Sequence, residues 1–170
     1  MDLEKYIRDV PDFPKQGIVF KDITTLLQDG DAFRLALNRM IKKHLDEKID
    51  KVVGIEARGF VLGGVMAYKL GCGFVPARKP GKLPYRSKRE EYTLEYGTNA
   101  LEIHEDAIRA GEKVLVVDDL LATGGTALAA AKLAEMLGGQ VVGIEFLIEL
   151  GFLHGRDKLR SYPVHSLISY

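Results

Sequence analysis

VLVVDDLLATGGT, Val114 to Thr126, sets three kinds of chemistry one after another: four apolar residues, two carboxylates and a turn of small residues. Val114 to Val117 is a continuous apolar run rich in β-branched residues, which predicts a strand buried on both faces of a parallel sheet. Asp118 and Asp119 are predicted to emerge at its carboxyl end, where open α/β sheets bind their ligands. Thr123, Gly124, Gly125 and Thr126 then read as the start of a helix. Glycine lets the backbone approach a phosphate closely, threonine hydroxyls add donors, and the free N–H groups of a helix start carry partial positive charge. A phosphate nest beside two carboxylates suits a sugar phosphate, with the carboxylates accepting hydrogen bonds from vicinal hydroxyls or holding a divalent metal through water. A lone Asp-Asp or Gly-Gly pair is usually a solvated turn. Here the whole series lies on one strand-turn-helix unit, and that context outweighs the plainer reading. Two other phosphate-binding designs are excluded: the sequence has no G-x-x-x-x-G-K-[ST], and no G-x-G-x-x-G follows a strand.

Outward from this unit the chain alternates strand and helix signals. Asp31 to Lys48 places Phe33, Leu37, Met40, Ile41 and Leu45 near helical spacing, with Asp29 or Asp31 able to cap the start. Lys51 to Ile55 reads as an apolar strand, Phe60 to Leu70 as a helix stopped by Gly71, and Phe74 to Ala77 as another short strand. Tyr92 to Tyr96 alternates as a strand does and, with the basic stretch before it, predicts a projecting two-stranded flap. Thr126 to Leu137 is an Ala- and Leu-rich helix ended by Gly138-Gly139, and Val141 to Ile148 is the next buried strand. The prediction is an α/β fold, a mostly parallel central sheet with helices on both faces. Residues 31–150 would form the core, with 1–30 and 151–170 as smaller caps around the carboxyl edge of the sheet.

The chain has 170 residues, 46% of them hydrophobic, and a formal net charge of zero, which predicts one domain with a sizeable core. It contains no apolar stretch long enough to span a membrane, and MDLEKYIRDVPDFP lacks the basic start and apolar segment of a secretory signal, so a cytoplasmic protein is expected. Cys72 is the single cysteine, which excludes an intramolecular disulfide and a cysteine-based zinc site. His44, His104, His154 and His165 show no metal-ligand spacing. Zero net charge argues against broad nucleic-acid binding.

One segment is strongly basic. Arg78, Lys79, Lys82, Arg86, Lys88 and Arg89 crowd a stretch that also holds Pro80, Gly81 and Pro84, and so reads as a loop. Alone it would be a solvated loop; beside a phosphate site it could close over a polyanion. Glu56-Ala57-Arg58-Gly59 again follows a buried strand and opens a helix, which puts Arg58 beside backbone donors in a way that suits phosphate.

The Val114–Thr126 stretch resembles the phosphoribosyl diphosphate (PRPP) signature of the type I phosphoribosyltransferases. FPKQGIVFKDIT (13–24), GIEARGFVLG (54–63), RKPGKLP (78–84) with LEYG (94–97), and IELGFLHGR (148–156) are similar to the adenine branch of that family and extend the likeness over nearly the full length. The resemblance implies the type I fold, with a small N-terminal hood over residues 1–30 and a flexible basic loop. It implies that Asp118 and Asp119 meet the ribose hydroxyls, that Ala122, Thr123, Gly124, Gly125 and Thr126 hold the 5′-phosphate, and that Ala57 and Arg58 form the diphosphate loop, often built around a cis peptide before Ala57. Lys79 and Lys82, with Arg78, would stabilise the departing diphosphate together with Mg²⁺, which is held through substrate oxygens and water and at most by Asp118 and Asp119. Glu95, an ordinary strand carboxylate by itself, becomes a catalytic candidate beside the purine imidazole ring, and Arg58 is the other, acting with Lys79 and Lys82 on the departing diphosphate. Val19, Phe20 and Lys21 become the adenine pocket with Leu150 as its other wall, although Phe20 alone reads as a core residue of a hairpin. Adenine and PRPP are the implied substrates and a homodimer the implied assembly. Two further readings keep the PRPP half: transfer to a 6-oxopurine, and a sensor of PRPP or nucleotide that uses the fold without catalysis.

Overall fold

A computed structural model of the chain describes residues 1–94 and 97–170. It opens with a 3-10 turn (Leu3–Tyr6), an antiparallel hairpin of β1 (Arg8–Pro11) and β2 (Val19–Asp22), and a short helix α1 (Thr24–Gln28). Charge closes the hairpin. The Arg8 guanidinium donates to Asp22 Oδ2 at 2.6 and 3.0 Å, and this contact, with the Thr24 N–H, lowers the Asp22 carboxyl to about 2. Helix α2 (Gly30–Lys42) begins where Asp29 accepts the N–H groups of Asp31 and Ala32, two of the donors that a helix start leaves unpaired. It ends at Lys42 rather than at the predicted Lys48, because the chain turns there to drive His44 inward onto Glu145, leaving Leu45 exposed.

Strand β3 (Lys51–Ile55) leads into helix α3 (Arg58–Leu70), which starts two residues before the predicted Phe60 and stops at Gly71, whose φ of +68° suits glycine. Strand β4 (Gly73–Ala77) follows, then an antiparallel pair, β5 (Ser87–Leu94) with β6 (Gly97–His104). The predicted flap is therefore longer than expected, and it does not simply project. Ala100, Leu101 and Ile103 of β6 are buried in the core, which docks the pair on the protein. Strand β7 (Lys113–Leu121), helix α4 (Gly125–Met136) and strand β8 (Gln140–Glu149) come next. Residues 151–170, expected as a cap, instead form two 3-10 turns and a strand β9 (Val164–Ser169) that completes the sheet edge, because Ile168 and its neighbours find their ladder partners on β8.

The central sheet runs β4-β3-β7-β8-β9 with every neighbouring pair parallel. Side chains alternate across it. Val53, Ile55, Val116, Ile144 and Phe146 pack with α4 and β6 on one face, and Val52, Leu115, Val117 and Leu147 pack with α2 and α3 on the other. Each such aliphatic or aromatic side chain contributes about 1.5–3 kcal/mol on burial, so both helical layers are held by the same strands. The chain leaves β3 through α3 toward β4 at one edge and leaves β7 through α4 toward β8 on the other side. The carboxyl ends of β3 and β7 thus lie side by side where the winding reverses, the crevice in which open α/β sheets hold ligands.

Candidate active site

Two strand ends build the site. Strand β7 continues to Leu121, so Asp118 and Asp119 lie within it, with Asp118 still in register with Phe146, rather than beyond its end as the sequence predicted. The ladder to β8 is what carries the strand past the carboxylates: Leu120 and Leu121 pair with Ile148 and Glu149. Alternation then separates the two acids. Asp119 is 7% exposed and Asp118 half-buried, with the Asp119 N–H donating back to Asp118 Oδ1 at 2.8 Å. Burial, then the neighbouring Asp119 carboxylate, pushes the Asp118 carboxyl well above the usual range.

From β3, the peptide Glu56–Ala57 is cis, and α3 starts immediately after it with Arg58. The Arg58 Nε donates to Asp119 Oδ2 at 2.5 Å, joining the two strand ends in one ion pair. Gly59 makes this approach sterically possible. A β-carbon there would stand 2.9 Å from Asp118 Oδ1 and 3.0 Å from the Val117 carbonyl oxygen.

The turn after β7 is built from small residues around a narrow cavity. Gly124 caps α4 with φ +82°, and Ala122, Thr123, Gly124 and Thr126 line, with Asp118, a cavity of about 60 Å³. Gly125 opens the helix against the Tyr92 ring, 3.4 Å from where its β-carbon would be. The α4 N-terminus therefore shares this cavity with Asp118, and its own residues bring backbone donors and no bulky side chain.

The basic loop is anchored by a carboxylate that the sequence did not single out. Glu56, with its side chain 7% exposed, accepts the Lys79 N–H at 2.5 Å, Arg78 Nη2 at 3.2 Å and Lys82 Nζ at 3.4 Å. Burial alone would raise its carboxyl, but these donors outweigh burial and hold it below the usual range. Glu102 grips the loop from β6: it exchanges backbone bonds with Arg78 at 2.9 and 2.7 Å, and its carboxylate accepts the Gly81 N–H at 3.2 Å. Arg78, Lys79 and Lys82 are thus brought to the Glu56–Arg58 turn. The signal available in the sequence was a carboxylate two residues before Arg58 at the end of a buried strand.

The four candidate base contacts lie on both sides of β2. Phe20 faces Arg58, whose guanidinium carbon is 5.6 Å from the ring centroid, and shares with it a cavity of about 350 Å³ that Val10, Phe13 and Asp22 complete. Val19 and Lys21 face the other way, into a cavity of about 750 Å³ shared with Thr123, Leu150 and Tyr170. Leu150 is fixed from behind. Its N–H donates to the Leu121 carbonyl at 2.9 Å, and the adjacent Glu149 is clasped by Arg156 through bonds of 2.7 to 2.9 Å. Glu95 lies outside the described residues.

The chain matches the family model described as "Phosphoribosyl transferase domain" over residues 24–166. An adenine phosphoribosyltransferase of Brachyspira hyodysenteriae is 59% identical over 170 residues, all of both chains. Among solved structures, the adenine phosphoribosyltransferase of Thermoanaerobacter pseudethanolicus superposes with a TM-score of 0.96 at 54% identity, over 99% of this chain and 100% of that one. The Saccharomyces cerevisiae enzyme, solved with D-2,5-dideoxy-2,5-imino-altritol 1,6-bisphosphate and adenine, gives 0.91 at 40% identity over 97% of this chain and 96% of that one.

Proposed function

The chain belongs to the phosphoribosyltransferase family, in its adenine phosphoribosyltransferase branch, and from that premise we propose how its residues share the work of purine salvage: adenine and PRPP become AMP and diphosphate. The observation that carries the assignment of roles is the Arg58–Asp119 ion pair, which joins the diphosphate-side turn after β3 to the acidic pair of β7 beside the Ala122–Thr126 turn.

In this reading Asp118 and Asp119 accept hydrogen bonds from the ribose hydroxyls, while the backbone donors of Ala122 to Thr126 at the α4 start hold the 5′-phosphate. Adenine N9 bonds to C1′ as the C1′–O bond breaks, and that bond's electrons leave with diphosphate. Positive charge develops on the sugar ring and negative charge on the leaving group. Ala57 and Arg58, with Arg78, Lys79 and Lys82, offer the donors and cations that steady the leaving group in a site closed to bulk water. Glu95 receives the N7 proton as N9 becomes the nucleophile.

Asp118 and Asp119 present oxygen donors of the kind Mg²⁺ takes, but Asp119 is already engaged by Arg58, so the fit is to an ion carried mainly by substrate oxygens and water. When bound, Mg²⁺ would neutralise charge on the diphosphate oxygens.

Phe20, expected to stack on the base, faces the Arg58 cavity on the opposite side of β2, whereas adenine is assigned to the cavity that Val19 and Lys21 share with Leu150, with backbone groups of β2 reading the exocyclic amine. A carbonyl in its place would leave buried groups unpaired, which is the physical basis for rejecting 6-oxopurines. A homodimer belongs to the proposal, and the exposed Val61 and Tyr68 of α3 and Phe74 of β4 supply apolar surface for it. So does a cytoplasmic location, with which a single half-buried thiol agrees.

The test is AMP formation from PRPP and Mg²⁺ with adenine, and nucleotide formation with hypoxanthine, guanine and xanthine in parallel, using Asp118→Asn/Asp119→Asn as control. Turnover of adenine alone, lost in the control, is expected. Turnover of a 6-oxopurine would move the substrate assignment, and PRPP binding without product would make the chain a sensor.

A further inference from the structure

Neighbouring side chains of β2 point to opposite sides of the hood, and each meets a cation–π partner from the body of the protein. On one side the hairpin supplies the ring: Phe20, under the Arg58 guanidinium at 5.6 Å. On the other it supplies the cation: the Lys21 Nζ lies 3.9 Å from the centroid of the Tyr170 ring. The second contact is the more confined. Lys21 also donates to Asp9 Oδ1 at 2.7 Å, and its side chain is only 15% exposed.

Tyr170 is itself fastened to the carboxyl end of β8. Its N–H donates to the Glu149 carbonyl at 2.9 Å and its carbonyl accepts the Gly151 N–H at 2.8 Å, one bond on either side of Leu150. Tyr170, Leu150, Lys21 and Val19 all line the same cavity of about 750 Å³. The β1–β2 pair is a sheet of its own, so no ladder of backbone bonds fixes its angle to the central sheet. That angle depends on side-chain contacts such as these two.

We propose that Tyr170 is a positioning residue for the base: by holding Lys21 from the Leu150 side, it sets the width of the cleft between hood and sheet into which adenine fits. The role rests on the adenine reading above. Its reach is selective, because the Tyr170 ring contacts Lys21 of the hood, and of the groups assigned to PRPP only Thr123 borders the same cavity.

The experiment compares Tyr170→Leu, which keeps apolar bulk without a π face, with Tyr170→Phe, which keeps the ring, and with Lys21→Met. Steady-state kinetics is run on each, alongside amide hydrogen exchange of β2 without ligands. Loss of one desolvated cation–π contact predicts a rise of about 3- to 20-fold in the adenine KM of Tyr170→Leu, with the PRPP KM and kcat within about twofold of the parent. Exchange at Val19 to Asp22 should quicken in the same variant. Tyr170→Phe should bring the adenine KM and the exchange back toward the parent, and Lys21→Met combined with Tyr170→Leu should add little to either alone. An unchanged adenine KM in Tyr170→Leu, an equal rise for both substrates, unchanged exchange, or a Tyr170→Phe as impaired as Tyr170→Leu would each overturn the proposal. A parent chain that turns over no adenine would refute the functional reading and the base-positioning role with it. That failure is distinct from failure of the Tyr170 contact alone, in which the parent is active and the variant does not differ from it.

Discussion

Gly124 and Gly155 meet backbone to backbone: a β-carbon on Gly124 would stand 2.4 Å from the Gly155 carbonyl oxygen, and one on Gly155 would stand 2.3 Å from the carbonyl oxygen of Ala122. The turn at the start of α4 and the 3-10 segment after β8 are therefore interlocked without any side chain between them. This is how the last part of the chain holds the geometry of the phosphate turn.

Gly124→Ala should fail on two counts, since its φ of +82° is costly for any L side chain and its β-carbon has no room. A loss of about 2–4 kcal/mol is expected in urea denaturation, together with a raised KM for PRPP. Gly155→Ala, at a position of ordinary φ, tests the steric part alone and should show the smaller loss.

Removing Arg58 tests the link between the two strand ends. Arg58→Met should lower kcat/KM for PRPP by about 10²–10³, the range for a preorganised donor aimed at developing charge. Arg58→Lys should recover only part of this, because an ammonium lacks the planar fork that reaches Asp119 and an anion together. A Lys variant equal to the parent in AMP formation would contradict this role.

Asp118 is held at the expense of the fold. Its carboxyl is raised, so above the ordinary carboxylate range the unfolded chain has released a proton that the folded chain still keeps. Stability attributable to this group then falls as pH rises, until Asp118 ionises in the fold. Asp118→Asn should remove that fall and make the unliganded protein more stable at about pH 8 than the parent, while lowering kcat/KM by about 10–100-fold through the lost carboxyl oxygen acceptor. Thermal melts across pH, paired with the AMP assay, check both halves.

His44 carries the opposite dependence. Burial opposes its charge, but bonds to Glu145 at 2.9 Å and Glu47 at 2.8 Å outweigh burial and raise the imidazole above its usual value. The stability it contributes is complete below the ordinary histidine value of 6.5 and is lost as pH rises through the raised one. His44→Leu leaves the buried Glu145 carboxylate without its partner and should cost about 3–5 kcal/mol at about pH 6, less at higher pH, with no selective change in either KM.

What the sequence revealed depends on how local each determinant is. The β7–α4 unit was readable because the apolar run, the acids and the Gly-Gly turn are contiguous, and β3–α3 repeats the pattern with Arg58 in the corresponding place. Strand β6 was missed: GTNALEIH is weakly patterned, and what makes Leu101 and Ile103 core residues is the packing of α4, which follows later in the chain. Glu56 was passed over for the same reason, since its three donors lie more than twenty positions downstream. Glu145 carries no signal of its own within the Val141–Ile148 strand, and only His44, 101 positions earlier, explains a buried carboxylate there. The acidic pair was expected beyond its strand because nothing in the sequence announces that the β8 ladder continues past it.

The β4 edge of the central sheet bears on how the protein avoids aggregation. Gly73, Val75 and Ala77 turn their backbone groups toward β3, as the bonds Gly73 N–H to Asp50 and Glu56 N–H to Ala77 require, so Phe74 and Pro76 face outward. Proline has no N–H to offer there, and the next outward position, Arg78, is already bonded to Glu102. An invading strand would find a single donor at Phe74 and then an interrupted row. A sheet rich in valine and isoleucine is thereby closed to extension from this side by another chain's backbone, and any association across it must proceed through side chains.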